Sequence, residues 1–168
     1  MVLIGCGALV RDQQGNILLI RRDDTRTWAP PGGSMERHES PHDVIIREIF
    51  EETGIEAVPE RLIGLYHLPF KPYNIVQLFF ACRATGGTLT PSAESPQLNF
   101  FPPHKLPSPI LQLHQSRLQH ALHPTTQLHF DAIHMTPTMH LGHFLLTRII
   151  YPAKDSLRRW RRQPAYTP

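Results

Sequence analysis

The chain has 168 residues, of which 40% are hydrophobic and 18% charged, as expected for a single domain that buries a core of its own. Its apolar runs are far shorter than the roughly 20 residues that a membrane-spanning helix needs. Its first residues also lack the pattern of a secretory signal. The composition argues against a membrane protein and against a fully disordered chain, and it predicts a soluble, cytoplasmic protein.

The net charge of +3 is unevenly distributed along the chain. Residues 148–168 carry six basic side chains and one acidic side chain, whereas residues 1–147 carry 11 basic and 13 acidic ones. We therefore predict one domain over residues 1–147 and a basic C-terminal tail over residues 148–168. Such a tail can contact nucleic acid or remain a solvated terminus. The second interpretation is favoured, because no recognisable nucleic-acid-binding motif accompanies the tail.

In chain order, the hydrophobic pattern predicts a mixture of strands and helices. Residues 3–11 and 17–22 flank a turn-like segment and are predicted to form a β-hairpin. Ser40 is a typical N-cap and Gly54 a typical C-terminal stop, which predicts a helix over residues 41–53. The other predicted strands cover residues 61–68, 75–84, 99–102 and 127–134, and the other predicted helices cover residues 110–122 and 138–150. This irregular mixture indicates an α/β or α+β fold.

Three glutamates stand out in the predicted helix over residues 41–53. Glu48, Glu51 and Glu52 have i, i+3 and i+4 spacing, so their carboxylates lie on one face. Like charges at this spacing repel one another, and the C-terminal half of a helix disfavours anions. A hard divalent cation such as Mg²⁺ or Mn²⁺ removes this conflict, because it takes oxygen ligands. Taken alone, the three glutamates would favour a solvated acidic face.

The residues around these glutamates decide between the two interpretations. Gly33, Glu39 and the segment Arg47–Ile55 follow the pattern G-x5-E-x7-R-E-U-x-E-E-x-G-U, in which U is aliphatic. This segment resembles the Nudix box at every specified position. The resemblance to a bacterial Nudix hydrolase domain extends over residues 2–123 and includes the segment Trp28–Gly33. It implies an α/β/α sandwich with a mixed sheet, in which the box forms a loop, a helix and a loop.

The resemblance also implies roles for residues within the box. It implies a Mg²⁺ or Mn²⁺ site whose ligands are Glu48, Glu51, Glu52 and the carbonyl of Gly32. Arg47 would orient the glutamates and Glu39 would tie down the loop, while Gly33 and Gly54 would provide backbone geometry that glycine adopts at low cost.

The activity implied by the resemblance is hydrolysis of the diphosphate linkage in a nucleoside diphosphate derivative, by water activated at the bound cation. Glu52 is the first candidate for the general base, and Glu94, in a later loop, is the second. ADP-ribose or a nucleotide sugar is favoured as substrate over a nucleoside triphosphate. Arg22, Trp28 and Tyr73 are candidates for substrate binding, although Trp28 fits a packing role equally well.

Two positions depart from the usual pattern of the family. His38 replaces a common glycine before Glu39, which affects the geometry of the loop. Gln97 stands where acidic residues are frequent, so this chain lacks that ligand if a relative takes a metal ligand from this position.

The alternative to an enzyme is a non-catalytic Nudix module that acts as a nucleotide sensor or as a nucleic-acid-binding regulator. The complete set of glutamates argues against it, because a protein that only binds does not need clustered metal ligands. We expect a small nucleotide as partner and no membrane contact. Residues 138–150 offer an apolar surface that would suit a homodimer.

Overall fold

The computed structural model describes residues 2–70, 73–123, 125 and 127–132, with the side chains of residues 69, 70 and 73 excepted. The elements in chain order are β1 Val2–Arg11, β2 Ile17–Arg21, β3 Trp28–Ala29, β4 Gly32–Ser34, α1 Pro41–Thr53, β5 Ile55–Phe70, β6 Tyr73–Gly87, β7 Gln97–Phe101, α2 Gln112–Leu122 and β8 His129–Ala132. Neither helix of this described part is long and apolar enough to cross a membrane.

A mixed sheet forms the centre of the fold. Its strand order is β3-β2-β1-β6-β5-β8, with β4 paired to β1 and β7 paired to β2. Strands β1 and β6 are parallel, as are β5 and β8, and the other pairs are antiparallel. The predicted hairpin is present, since Arg11 of β1 pairs with Ile17 of β2 and Asp12 accepts hydrogen bonds from the backbone N–H groups of Gln14 and Asn16. The predicted α/β class is confirmed.

Helix α1 has the bounds that its sequence predicts. The Ser40 side chain accepts a hydrogen bond from the backbone N–H of Asp43, and the Asp43 carboxylate accepts one from the N–H of Ser40. This reciprocal cap contributes about 1 kcal/mol to helix stability. Gly54 ends the helix in the left-handed conformation, with φ of 71°, which glycine adopts without the steric cost of a Cβ atom.

The two helices pack against the sheet and anchor it. Helix α1 is held by a core cluster whose fully buried members are Cys6, Ala8, Val10, Leu18, Val44, Ile45 and Ile49. Helix α2 buries Leu118 and Ala121, and the carbonyl of Ala121 accepts a hydrogen bond from the Arg11 side chain of β1. Glu48 and Glu52 are three residues after the buried Ile45 and Ile49, so they lie at the same face of α1 and are held against β4 by the packing of that face in the core.

Several element bounds differ from the sequence prediction. Strand β5 begins at Ile55 rather than at residue 61, because register shifts on both sides of Pro59 let a proline lie within a paired strand. Helix α2 begins at Gln112 rather than at residue 110, because Ile110 forms a β-bridge with Trp28. The predicted helix over residues 138–150 and the predicted tail over residues 148–168 lie outside the described residues, as does the end of the predicted strand 127–134.

Candidate active site

Strand β4 brings two consecutive glycines against the C-terminal half of α1. Gly32 and Gly33 pair with Gly7 and Cys6 of β1. A Cβ atom on Gly33 would overlap the carboxylate of Glu48, and one on Gly32 would overlap the backbone of Cys6. A larger residue at Gly32 would require the backbone of β1 or β4 to move, whereas one at Gly33 would require the Glu48 carboxylate to turn away from β4. Glycine at these two positions lets the carboxylates of α1 approach the backbone of β4 closely.

Arg47 connects the loop to the glutamates of α1. Its Nε and one terminal nitrogen donate to the two carboxylate oxygens of Glu39, at 2.6 and 3.0 Å. The other terminal nitrogen donates to Glu48 at 2.8 Å and to Glu51 at 3.3 Å. A further hydrogen bond reaches the carbonyl of Ser34. One guanidinium thus joins three carboxylates, and two of them, on Glu48 and Glu51, share a single nitrogen.

These contacts shift the pKa values of both partners of the main ion pair. Hydrogen bonds from Arg47 and from the backbone N–H of Glu36 lower the pKa of Glu39 to about 2. The Glu39 and Glu48 carboxylates raise the pKa of Arg47 further above its ordinary value. Glu39 and Arg47 therefore stay charged across the physiological pH range.

Glu52 lies in a different electrostatic environment. Its residue is partly exposed, but its Oε2 accepts a hydrogen bond from the backbone N–H of Gly32 at 2.8 Å. Burial of the carboxyl raises its pKa to about 8, and the charges of Glu48 and Glu94 raise it as well, against the lowering effects of the Gly32 N–H and of Arg22. Without a cation, this carboxyl is therefore mostly protonated at neutral pH.

The donor set of this site fits a hard divalent cation. It consists of oxygen atoms, carries more negative than positive charge, and includes a carboxyl whose pKa is raised by burial first and by the neighbouring Glu48 and Glu94 charges second. Within the described residues, no three histidine, cysteine, aspartate or glutamate side chains already surround a common point. The reason is that Glu48 and Glu51 are turned toward Arg47. Binding of a cation therefore requires rotation of these side chains from Arg47.

Two candidate residues from outside the helix reach the same region. The carbonyl of Glu94 accepts a hydrogen bond from the N–H of Asp23 at 3.1 Å, which ties its loop to the one after β2. The charges of Glu94 and Arg22 both act on Glu52. The guanidinium of Arg22 forms a two-pronged ion pair with Asp24, at 3.0 and 2.7 Å. Both residues thus lie near the carboxylates, while their functional roles remain predictions.

The remaining candidates have other contacts. Trp28 packs edge to face on Phe101, with ring centroids 5.0 Å apart, which is the packing role that its sequence left open. Gln97 accepts a hydrogen bond from Arg21 at 2.9 Å. Tyr73 begins β6, and its side chain lies outside the described atoms. His38 has a φ of 68°, so a residue with a side chain adopts the left-handed conformation that the more usual glycine would favour.

Sequence reasoning missed a second group of polar side chains, beneath α2. Arg117 is buried and His114 is partly buried, and burial, followed by the charges of Arg117 and Arg22, lowers the pKa of His114. Their i, i+3 spacing on α2 places them on one helix face. The hydrophobic pattern predicts the helix, but it does not distinguish these two residues from the neighbouring histidines and glutamines.

Comparisons with known proteins agree with the site. Residues 1–122 match the family model described as NUDIX domain. A MutT-like protein of Streptomyces ambofaciens is 35% identical over 134 residues, which is 78% of this chain and 84% of that protein. An ADP-ribose pyrophosphatase of Methanocaldococcus jannaschii is 30% identical over 57% of this chain and 60% of that protein.

A solved structure is similar in fold as well as in sequence. The crystal structure of a UDP-X diphosphatase superimposes with a TM-score of 0.64 at 26% identity, and the match covers 78% of this chain and 67% of that one. The predicted resemblance and the predicted hydrolase class are thus confirmed. On the evidence of the family model, the relatives and the complete set of box residues around Arg47, the chain belongs to the NUDIX domain family of hydrolases.

Proposed function

We propose that this protein hydrolyses the diphosphate linkage of a nucleoside diphosphate derivative with the help of Mg²⁺ or Mn²⁺. One observation carries the proposal: two glutamates of α1 lie against the glycines of β4, Glu48 at Gly33 and Glu52 at Gly32, and the carboxyl of Glu52 has a pKa raised to about 8. This arrangement costs stability in the absence of a cation. A diphosphate bridged to a divalent cation would neutralise it.

We assign the residues of the box as follows. Glu48, Glu51, Glu52 and the carbonyl of Gly32 would hold the cation, which when bound neutralises charge on the diphosphate and makes a water molecule more acidic. Arg47 and Glu39 position the glutamates through the hydrogen bonds described above. Either Glu52 or Glu94 takes the proton of the attacking water.

The favoured substrates are ADP-ribose and nucleotide sugars. Support comes from the relatives named ADP-ribose pyrophosphatase and UDP-X diphosphatase. Both names concern substrates in which a nucleoside diphosphate carries a second group, whereas a nucleoside triphosphate carries only a further phosphate. We therefore rank nucleoside triphosphates second.

The test is product analysis with purified protein, Mg²⁺ or Mn²⁺, and a panel of ADP-ribose, nucleotide sugars, diadenosine polyphosphates and nucleoside triphosphates. Glu52→Gln is compared with Glu60→Gln, a matched variant in an exposed ion pair with Arg83 on the sheet. We expect cation-dependent cleavage into two phosphorylated products, reduced roughly 100-fold or more by Glu52→Gln and unchanged by Glu60→Gln. Folded wild-type protein that cleaves none of the panel would contradict the proposal and favour a nucleotide sensor.

A further inference from the structure

Arg117 of α2 is a buried cation that no anion among the described residues pairs. Its residue is 1% exposed, and its Nε and one terminal nitrogen are buried without a hydrogen-bond partner among the residues that the structure describes. Burial lowers the pKa of Arg117 to about 10, so the guanidinium stays charged at neutral pH. An enclosed guanidinium with unused N–H groups is costly in a folded protein, and such groups are normally paired.

The Tyr66 ring stabilises the charge of Arg117 only at one face of the guanidinium. The guanidinium carbon lies 5.4 Å from the centroid of the Tyr66 ring, in a cation–π contact. This contact uses the face of the guanidinium and leaves the N–H groups in its plane unused. The Tyr66 hydroxyl, in turn, is hydrogen-bonded to Nδ1 of His120 at 2.9 Å. The described neighbours therefore orient Arg117 without neutralising it.

A second unpartnered nitrogen lies one helical turn before Arg117. Nδ1 of His114 is buried without a hydrogen-bond partner in the described part of the chain. Burial and the charges of Arg117 and Arg22 hold its pKa well below the ordinary value, so the ring is neutral, and the tautomer protonated at Nδ1 has an N–H donor there. The i, i+3 spacing of these two residues places the guanidinium and the imidazole on one face of α2.

We infer that Arg117 and His114 form a binding site for a phosphate group beneath α2. The planar guanidinium matches two phosphate oxygens at once, and its charge would be balanced by the dianion. His114 would donate a further hydrogen bond without adding charge. A water molecule could satisfy the N–H groups but would leave the charge unbalanced, which favours an anion.

The location relates this site to the proposed reaction. The segment before α2 is joined to β3 by the bridge between Ile110 and Trp28, and Arg22, in the loop between β2 and β3, lowers the pKa of both His114 and Glu52. The phosphate has two sources: a phosphate of the substrate other than those bound at the cation, or free inorganic phosphate. A site for a substrate phosphate rests on the proposed function, whereas a site for free inorganic phosphate does not.

The first experiment measures binding without catalysis. Melting temperatures of the full chain are recorded in excess chelator with inorganic phosphate, and with NaCl at equal ionic strength. We expect a saturable increase with phosphate for the wild type and for Arg83→Met, a control at an exposed arginine. We expect no such increase for Arg117→Met, whose ligand-free form should melt above the wild type because a buried charge is removed. His114→Leu carries the same test should Arg117→Met not fold.

Two results would overturn the inference. One is a wild-type protein that phosphate stabilises no more than NaCl does. The other is an Arg117→Met variant that phosphate stabilises as much as the wild type. Neither result depends on hydrolysis, so failure here is distinguishable from failure of the proposed function.

A second experiment separates the two sources. With the preferred substrate and Mg²⁺, Arg117→Met should raise KM about tenfold or more with kcat nearly unchanged if the bound phosphate belongs to the substrate. If the site takes free phosphate, KM should be unchanged in phosphate-free buffer, while the phosphate-dependent increase in melting temperature is still lost.

Discussion

Arg47 and Arg117 are helical arginines that this fold withdraws from water, but their surroundings differ completely. Arg47 donates to three carboxylates and a carbonyl, whereas Arg117 has a tyrosine ring and two buried N–H sites without described partners. The partners of Arg47 lie within fourteen positions of it in sequence and belong to one motif. The carboxylates that balance the charge of Arg47 come from the same short stretch of sequence. Arg117 is buried against a residue distant in sequence, and no described residue supplies an anion for it.

The largest expected difference between the two arginines is in stability, and replacing each of them by methionine measures it. Arg47→Met leaves Glu39 and Glu48 without their common partner, so we expect the free energy of unfolding to fall by about 2–3 kcal/mol. Arg117→Met removes a cation that no described group pairs, so we expect a gain of about 1 kcal/mol or more. Chemical denaturation of both variants checks the signs. A loss of stability in both would mean that Arg117 has an anionic partner within the chain.

The pH dependence of stability distinguishes the Glu52 carboxyl from the carboxylates that are paired with Arg47. The pKa of Glu52 is about 8 in the fold and near 4.5 when unfolded, so the protonated form is favoured by folding. Its contribution is complete below the unfolded pKa and is lost as the pH rises through the folded value. We expect cation-free protein to lose about 2 kcal/mol between about pH 6 and pH 9.

The control for this effect is Glu52→Gln, which cannot ionise. Its stability should fall less over the same pH range, and saturating Mg²⁺ should also reduce the fall in the wild type. Denaturant titrations at several pH values measure both. A slope that is identical in the wild type and in Glu52→Gln would contradict the environment assigned to this carboxyl.

The close approach of β4 to α1 makes a smaller, steric prediction. Gly33→Ala places a methyl group where the Glu48 carboxylate lies, so we expect this carboxylate to turn away, with weaker cation binding and a loss of stability of about 1 kcal/mol or less. Gly86→Ala is the matched control, because its Cβ would meet only the end of the exposed Glu56 side chain. Equal effects of the two substitutions on cation binding, measured by calorimetry, would refute this explanation of Gly33.

The smallest prediction concerns the loop that Arg47 holds. His38 has a positive φ, so His38→Gly should raise the free energy of unfolding by about 1 kcal/mol by removing backbone strain. Thermal unfolding measures the change. A decrease in stability would show that the histidine side chain contributes more than its backbone conformation costs.

Features that depend on contacts between neighbours in sequence were predictable, whereas features that depend on contacts between distant residues were not. The bounds of α1 and its caps were predictable, since Ser40, Pro41 and Gly54 act within the helix itself. The length of β5 was not, because the bulges around Pro59 are stabilised by pairing with β6. The packing of Trp28 on Phe101 and the burial of Arg117 also depend on residues far apart in sequence. No spacing rule reports such contacts.

The central claim is that the carboxylates of α1 hold a divalent cation, and that Glu52 gives up its proton to do so. Calorimetric titration with Mn²⁺ at about pH 7, in buffers of different ionisation enthalpy, counts the protons released on binding. We predict close to one proton for the wild type and for Glu60→Gln, clearly less for Glu52→Gln, and tighter binding as the pH rises toward 8. Mn²⁺ binding by the wild type without proton release, or release unaffected by Glu52→Gln, would contradict the account.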